Sequence, residues 1–231
     1  RLAVIRAAKQ RLEARQRAAD AERGRRPDDD PQPPATGDRP AQRGRGAGRA
    51  FGEPHPKAQD NFTDPDSRIM KTSAGFEQCY NGQTAVDAHA QIIVAAELTN
   101  CAADNGELPR MLDVIAATLG GAPAVALADA GYRSEATLAR LSQSPTEVIV
   151  ALGREGRDPV AIDADQLPHT AAMAAKLQTA EGWAKYRRRK VIVEPPNGWL
   201  KHVLGFRQFS LRGLDKVRGE FKLVCAALNL R

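Results

Sequence analysis

The chain has 231 residues, three cysteines and a formal net charge of +6 at neutral pH. This length is enough for one domain with a hydrophobic core and for additional segments. Cys79, Cys101 and Cys225 lie far apart without Cys-x-x-Cys spacing, which argues against a disulfide framework or a structural zinc site and favours reduced thiols in the cytoplasm. No apolar run approaches membrane-spanning length and there is no signal peptide, so we expect no membrane partner.

Charge is distributed unevenly along the chain. Residues 1–50 carry 13 basic and 7 acidic side chains, residues 51–181 carry 9 and 18, and residues 182–231 carry 12 and 3. A basic C-terminal quarter on an acidic body predicts a polyanionic partner on one face. The carboxylates gathered in the middle of the chain are the ligands that a divalent cation prefers.

The first quarter of the chain predicts little packed structure. Residues 1–23 predict a helix with a thin apolar stripe, and residues 24–60, rich in Pro, Gly, Arg and Asp, predict a disordered linker. Arginines of the linker such as Arg43 can contact nucleic acid, although such residues more often solubilise a loop.

The rest of the chain predicts an α/β domain. In order, the patterns indicate a strand over 83–88, a strand over 92–99, a helix over 106–119, a strand over 124–129, a helix capped by Ser134 and a strand over 147–152. A hairpin followed by a βαβ unit predicts one mixed sheet flanked by helices. Residues 153–181 predict an insertion, and the segment from Gly213 onward predicts a final helix that contributes to the core.

Asp129 follows the most apolar strand. Functional sites of such sheets gather at the carboxyl ends of strands, and a carboxylate there must be hydrated, paired or metal-bound. We favour a functional role for Asp129 over a role in forming a turn. Asp87, within the first strand, is either a metal ligand or a strand-edge carboxylate that faces water.

The stretch from Tyr186 to Lys201 combines a run of cations with a single carboxylate, Glu194. Pro195 and Pro196 suit the first turn of a helix, where a missing N–H costs nothing. On such a helix Glu194 and Lys201 share one face, which predicts a metal and phosphate site. The alternative is a solvated charge run with a glutamate that complements a helix dipole.

Together these motifs resemble the DDE-type insertion-sequence transposases of bacteria. They are similar to the group with a Tyr–Arg–Glu–Lys signature, whose intervals are two, three and six residues. Six residues separate Glu194 from Lys201 and two separate Tyr186 from Arg189, but four lie between Arg189 and Glu194. Three residues separate residue 190 from Glu194, as the signature expects for its arginine, but residue 190 is a lysine.

Three further phrases resemble the same group, so the resemblance covers residues 61–231. They are Asn61–Met70, Tyr80–Asp87 and Phe206–Gly213. The resemblance implies an RNase H-like mixed sheet with two Asp and one Glu that bind two Mg²⁺ or Mn²⁺ ions. Asp129 would be the second carboxylate and Glu194 the third. No phrase for the first is present, so we expect its strand upstream and read the chain as a C-terminal part of the catalytic domain.

The function that this resemblance implies is metal-dependent cleavage and strand transfer of DNA at insertion-sequence ends. Tyr186, Arg189, Lys190 and Lys201 would bind DNA phosphates, and Trp199 would pack in the core rather than stack a base. The expected partners are terminal inverted repeats, target DNA and a second copy of the chain, in the bacterial cytoplasm and at the nucleoid. The alternatives are a catalytically inactive DNA-binding remnant and, less favoured, a host nuclease of the same fold.

Overall fold

The computed structural model describes residues 1–28, 49–153 and 162–231. These residues fall into two compact units, Arg1–Asp66 and Ser67–Arg231. Most of the predicted linker, residues 29–48, and part of the predicted insertion, residues 154–161, lie outside the described residues.

The first unit is built on helix α1, which spans Leu2–Glu22. Residues 49–60 differ from the predicted disordered linker because they are held to α1 by ion pairs. Arg11 and Arg15 approach the buried carboxylate of Asp60 at 2.7 and 2.6 Å. Composition alone does not show these pairs, since their partners are more than 40 residues apart.

The second unit contains six strands and five helices among its described residues. The strands are β1 (Arg68–Lys71), β2 (Phe76–Cys79), β3 (Asn81–Val86), β4 (Ile93–Thr99), β5 (Val125–Ala128) and β6 (Glu147–Val150). The helices are α2 (Glu107–Leu119), α3 (Glu135–Leu141), α4 (Pro168–Gln178), α5 (Ala180–Gly198) and α6 (Leu214–Asn229). A 3₁₀ turn over Ala130–Tyr132 and a π-helical segment over Trp199–Val203 complete the list.

Strand pairing follows the predicted order but not the predicted single sheet. β3 and β4 form the expected antiparallel hairpin, and β5 and β6 pair in parallel across α3, as a βαβ unit requires. β1 and β2 form a further hairpin that the sequence patterns did not predict. Within the described ranges these pairs are three separate two-stranded sheets, so the mixed-sheet prediction is not confirmed.

Two large apolar clusters and a small third one, around Ile149 and Ala151, hold the second unit together. The first joins the β3–β4 sheet to the β5–β6 sheet through one face of α2, and its core residues include Ala95, Leu108, Met111, Leu112, Ile115, Ala128, Val148 and Val150. The second lies between the hairpin and α6, with core residues Ile93, Leu98, Leu200, Val217, Phe221, Cys225 and Leu228. Successive strand residues point to opposite faces, and β4 contributes side chains to both of the large clusters. Side-chain packing, and not backbone hydrogen bonding, therefore joins the sheets.

The prediction that Pro195 and Pro196 begin a helix is wrong. Both lie inside α5, which begins after Thr179, whose hydroxyl accepts a hydrogen bond from the Gly182 N–H at 2.9 Å. This cap starts the helix about four turns earlier than the prolines suggest. α4 also occupies much of the predicted insertion over 153–181.

The apolar repeat that begins at Trp199 does not form one buried stripe. The Leu204 N–H donates to the Trp199 carbonyl at 2.9 Å, five residues back, which defines the π-helical turn. Leu200 is buried, whereas Trp199 is 41% exposed and Val203 is 58% exposed. The predicted core position of Trp199 is therefore wrong, and the α-helical face expected to carry Glu194 and Lys201 is interrupted.

Candidate catalytic carboxylates and cationic surface

Asp129 lies where the sequence predicts, directly after β5. Its carboxylate is exposed and accepts a hydrogen bond from the Gly131 N–H at 2.8 Å, which caps the 3₁₀ turn. In the described part of the chain it forms no ion pair with Lys or Arg. The strand end thus presents a fixed carboxylate with oxygen lone pairs directed to solvent.

A hydrogen-bond network connects this turn to β3. The Tyr132 hydroxyl donates to Gln83 Oε1, and Gln83 Nε2 donates to Asp104 Oδ1 at 2.7 Å. Asn81 Nδ2 also donates to Asp104 Oδ1, at 2.6 Å. Burial raises the pKa of Tyr132, as do the nearby carboxylates of Asp104 and Asp129, so this phenol stays a donor at neutral pH. We call these four side chains, Asn81, Gln83, Asp104 and Tyr132, the Gln83 network.

Sequence reasoning missed Asp104 as part of this region. The signal for Asp104 was weak, because it lies in the loop after β4 and not directly at the strand end, as Asp129 does after β5. Asp104 Oδ2 and Asp129 Oδ1 lie 2.9 and 3.0 Å from the point where a Cβ on Gly131 would stand. Both oxygens are thus within 3.0 Å of one point, and at most about 6 Å separates them.

Glu194 lies near the C-terminal end of α5, and its side chain is exposed. The structure describes no ion pair to it. Its helical turn is placed against the hairpin by two contacts: Gln91 Nε2 donates to the Val191 carbonyl at 2.9 Å, and Thr84 Oγ1 lies 3.4 Å from Asn197 Oδ1. Glu194 therefore lies over the end of β3 and the loop that follows it.

The basic run of α5 contains cations of two kinds. Lys185 pairs with Glu147 at 2.7 Å and with Glu181 at 2.6 Å, so its charge is balanced within the protein. The hydrogen bond from Lys185 holds the pKa of Glu147 below its usual value. Arg187 and Arg188 are exposed, and the described residues supply neither with a carboxylate partner.

Tyr186 and Arg189 form a stacked pair on α5. Tyr186 is 5% exposed and packs in an apolar cluster with Ile149 and Ala151. Ala130, the residue after Asp129, packs against the same cluster. The Arg189 guanidinium carbon lies 5.6 Å from the centre of the Tyr186 ring, and its buried Nε has no hydrogen-bond partner among the residues that the structure describes.

Lys190 and Lys201, the other cations of the predicted site, are both exposed. Lys201 lies in the π-helical segment beside His202. His202 Nδ1 is 3.0 Å from Arg207 Nη2, which brings a further cation to this surface. The predicted site residues thus divide into two exposed carboxylates, one buried tyrosine, a stacked arginine and two exposed lysines.

A family model for the transposase DDE domain matches residues 52–230. The chain belongs to this family. The match includes both candidate carboxylates and begins within the predicted linker, nine residues before the boundary that the motifs suggested. No curated protein and no solved structure matches the chain significantly.

Membership of the transposase DDE family makes DNA the partner class and implies divalent metal ions as cofactors. The donor chemistry of this transposase domain fits such ions in part, because Asp129 and Glu194 are exposed carboxylates. The described residues nevertheless include no group of three or more His, Cys, Asp or Glu side chains that could hold a metal. None of the helices described is long and apolar enough to cross a membrane.

Proposed function

We propose that this transposase domain uses Asp129 and Glu194 as metal-binding carboxylates for cleavage and strand transfer of DNA at insertion-sequence ends. The observation that carries the proposal is that both carboxylates are exposed and unpaired within the described residues, although 34 Lys and Arg are present in the chain. Carboxylates on a protein surface with so many cations commonly form ion pairs, whereas these two keep their oxygens available.

The residue types suit the reaction. Transposition requires in-line displacement at phosphodiester bonds, and bound divalent ions supply activation of the attacking oxygen and stabilisation of the leaving one. Carboxylate oxygens are the protein ligands that Mg²⁺ and Mn²⁺ prefer. The role of the chain's own groups is to present these oxygens: Asp129 from a capped turn at a strand end, and Glu194 from a helix held over β3.

Cations on α5 and the segment after it would bind the DNA backbone. Arg189 is already oriented by the Tyr186 ring, and its planar guanidinium can bind a phosphate through two parallel hydrogen bonds. Lys190 and Lys201 would act as point charges on the same strand of DNA. Tyr186 would contribute by supporting Arg189 rather than by contacting the phosphate.

A second function, binding of DNA without cleavage, is supported by one observation. The described residues assemble no three-ligand metal group. Two carboxylates hold an ion less firmly than three, and the cationic surface would remain able to bind DNA. This alternative predicts DNA binding that is intact and cleavage that is absent.

Cleavage of a labelled element-end duplex with Mn²⁺ tests the proposal. The parent chain is compared with Asp129→Asn and Glu194→Gln, and Asp113→Asn and Glu181→Gln are controls that make the same chemical changes at exposed helical positions. We expect the two site variants to lose at least about 100-fold in cleavage rate, more than the loss typical of groups outside the ligand shell, and to keep their affinity for DNA.

The outcomes separate the two functions. Site variants that cleave as fast as the controls would remove Asp129 and Glu194 from the site. A parent chain that binds the duplex and never cuts it, also when a segment carrying the expected first Asp and its strand is supplied, would support the binding function instead.

A further inference from the structure

We propose that the β3–β4 hairpin positions both carboxylates, with Gln91 supporting the helical turn of Glu194 and Gln83 supporting the turn of Asp129. This inference rests on the proposed function, since it concerns the orientation of those two side chains. Gln91 and Gln83 would act as positioning residues and would contact neither the metal nor the DNA.

The first support comes from a missing hydrogen bond in α5. In an α-helix the Val191 carbonyl accepts from the N–H of residue 195, but residue 195 is a proline and has no N–H. Gln91 Nε2 donates to this carbonyl at 2.9 Å. A side chain from 100 residues earlier thus replaces the backbone donor one turn before Glu194.

The second support is the conformation of Gln91 itself. Its φ is +56°, and it is the one described residue other than glycine with a positive φ. This region is unfavourable for a residue with a side chain, and it persists where the surrounding structure requires it. The left-handed residue ends the short loop between β3 and β4 and directs its side chain to α5.

Asp87 closes the loop that holds Gln91 in this conformation. Its Oδ2 accepts hydrogen bonds from the N–H groups of His89 at 3.0 Å and Ala90 at 2.6 Å, and its carbonyl accepts from the Gln91 N–H at 3.1 Å. The hydrogen bond from Ala90 is the main reason that the pKa of Asp87 is lowered. Asp87, predicted as a metal ligand or as a strand-edge carboxylate, thus orders this loop through its hydrogen bonds.

The Gln83 network supports the other carboxylate. Gln83 is 3% exposed and accepts from Tyr132, the last residue of the 3₁₀ turn that Asp129 caps. The Asp104 carboxylate accepts a hydrogen bond from the side-chain amide of Gln83, and it also lies next to Gly131, a residue of that turn. A displacement of Gln83 would therefore reach the Asp129 turn through Tyr132.

The inference gives a physical role to the phrase Tyr80–Asp87, which carried part of the resemblance without supplying a ligand. Two polar side chains of this phrase, Asn81 and Gln83, belong to the network under the Asp129 turn. A third, Asp87, orders the loop that directs Gln91 to α5. One hairpin thus sets the positions of two carboxylates that lie 65 residues apart in sequence.

Binding of Mn²⁺ alone, followed by the loss of the free-ion electron paramagnetic resonance signal, tests the inference without requiring activity. We expect Gln91→Ala and Tyr132→Phe each to weaken Mn²⁺ binding about 10-fold, the lower end of the range for groups that orient metal ligands. The controls are Gln143→Ala, an exposed glutamine on the surface, and Tyr80→Phe, which removes a phenol hydroxyl near Phe209. Each control should bind within about twofold of the parent, well below the 10-fold loss expected of the positioning variants.

A second substitution separates positioning from general loss of structure. Pro195→Ala supplies the missing N–H for the Val191 carbonyl, so the double variant Gln91→Ala/Pro195→Ala should recover the Mn²⁺ affinity of Pro195→Ala alone. A double variant that stays as weak as Gln91→Ala would overturn the role of Gln91.

The carboxylate variants distinguish failure of this inference from failure of the proposed function. If Asp129→Asn and Glu194→Gln bind Mn²⁺ as the parent does, the proposed metal site is wrong. If those two weaken binding while Gln91→Ala and Tyr132→Phe do not, the metal site stands and the positioning role of the hairpin is wrong.

Discussion

The two carboxylate-bearing segments, at Asp129 and at Glu194, are held in contrasting ways. Asp129 ends a strand and caps its own turn, so short-range geometry determines most of its position. Glu194 lies in a helical turn where two prolines remove backbone donors and a π-helical segment follows. The turn of Asp129 is determined mainly by its own cap and is supported by the Gln83 network, whereas the turn of Glu194 depends on the long-range contact from Gln91.

The largest effect is expected from a substitution that disturbs the turn of Asp129. Gly131→Ala places a Cβ 2.9 Å from Asp104 Oδ2, too close unless an atom moves, and 3.0 Å from Asp129 Oδ1, which is tighter than most Cβ contacts. Because Asp104 is fixed by two hydrogen bonds, we expect Asp129 to move and DNA cleavage to fall about 10- to 100-fold. Gly121→Ala is the matched control, since nothing lies within 4 Å of its added Cβ. Equal cleavage by the two variants would contradict the role of the turn.

A smaller effect tests whether stability and metal binding separate in the hairpin. Glu97 on β4 pairs with Lys222 at 2.6 Å, Arg110 at 3.2 Å and Arg218 at 3.7 Å. Glu97→Gln removes the carboxylate that these three cations share, although Arg110 keeps its pair with Glu107 and Arg218 keeps its pair with Asp215. We expect the free energy of unfolding to fall by about 2 kcal/mol. Thermal unfolding measures this loss. The Mn²⁺ affinity of the folded variant should match that of the parent. If Mn²⁺ affinity falls together with stability, the whole hairpin and not only Gln83 and Gln91 controls the site.

The smallest effect concerns the part of α5 that lies away from Glu194. Lys185 lowers the pKa of Glu147, so their pair stabilises the fold above the usual pKa of a glutamate and is lost as pH falls through the lowered value. Glu147→Gln should reduce Tm by no more than about 3 °C at pH 7. The difference should vanish under acid conditions below both pKa values. A difference that persists there would assign the effect to packing.

Much of the locally determined half of the domain was predictable from sequence. The apolar run before Asp129, the Ser134 cap and the glycine that ends α2 all act within a few residues, and each appears as expected. The β3–β4 hairpin was also predicted, within about two residues at each end.

The segment around Glu194 was predicted less well, and the reason is physical. A pair of prolines can stand at the start of a helix or inside one, and the sequence around Pro195 and Pro196 does not distinguish the two positions. The Thr179 cap shows that this helix begins earlier. The donor that satisfies the Val191 carbonyl in the interrupted helix, Gln91, lies 100 residues away in sequence. Likewise Asp104 joins Gln83 only in the folded chain. Such contacts have no periodicity or spacing that a sequence pattern can show.

The central claim is that Asp129 and Glu194 bind divalent metal ions at the same site. Metal-directed backbone cleavage tests this claim most directly. Fe²⁺ binds carboxylate ligands, and with ascorbate and peroxide it cuts the polypeptide close to where it is bound. The account predicts cuts beside Asp129 and beside Glu194 that Mg²⁺ suppresses and that either Asp129→Asn or Glu194→Gln abolishes at both places. Cuts beside one carboxylate alone, or a pattern unchanged in both variants, would contradict it.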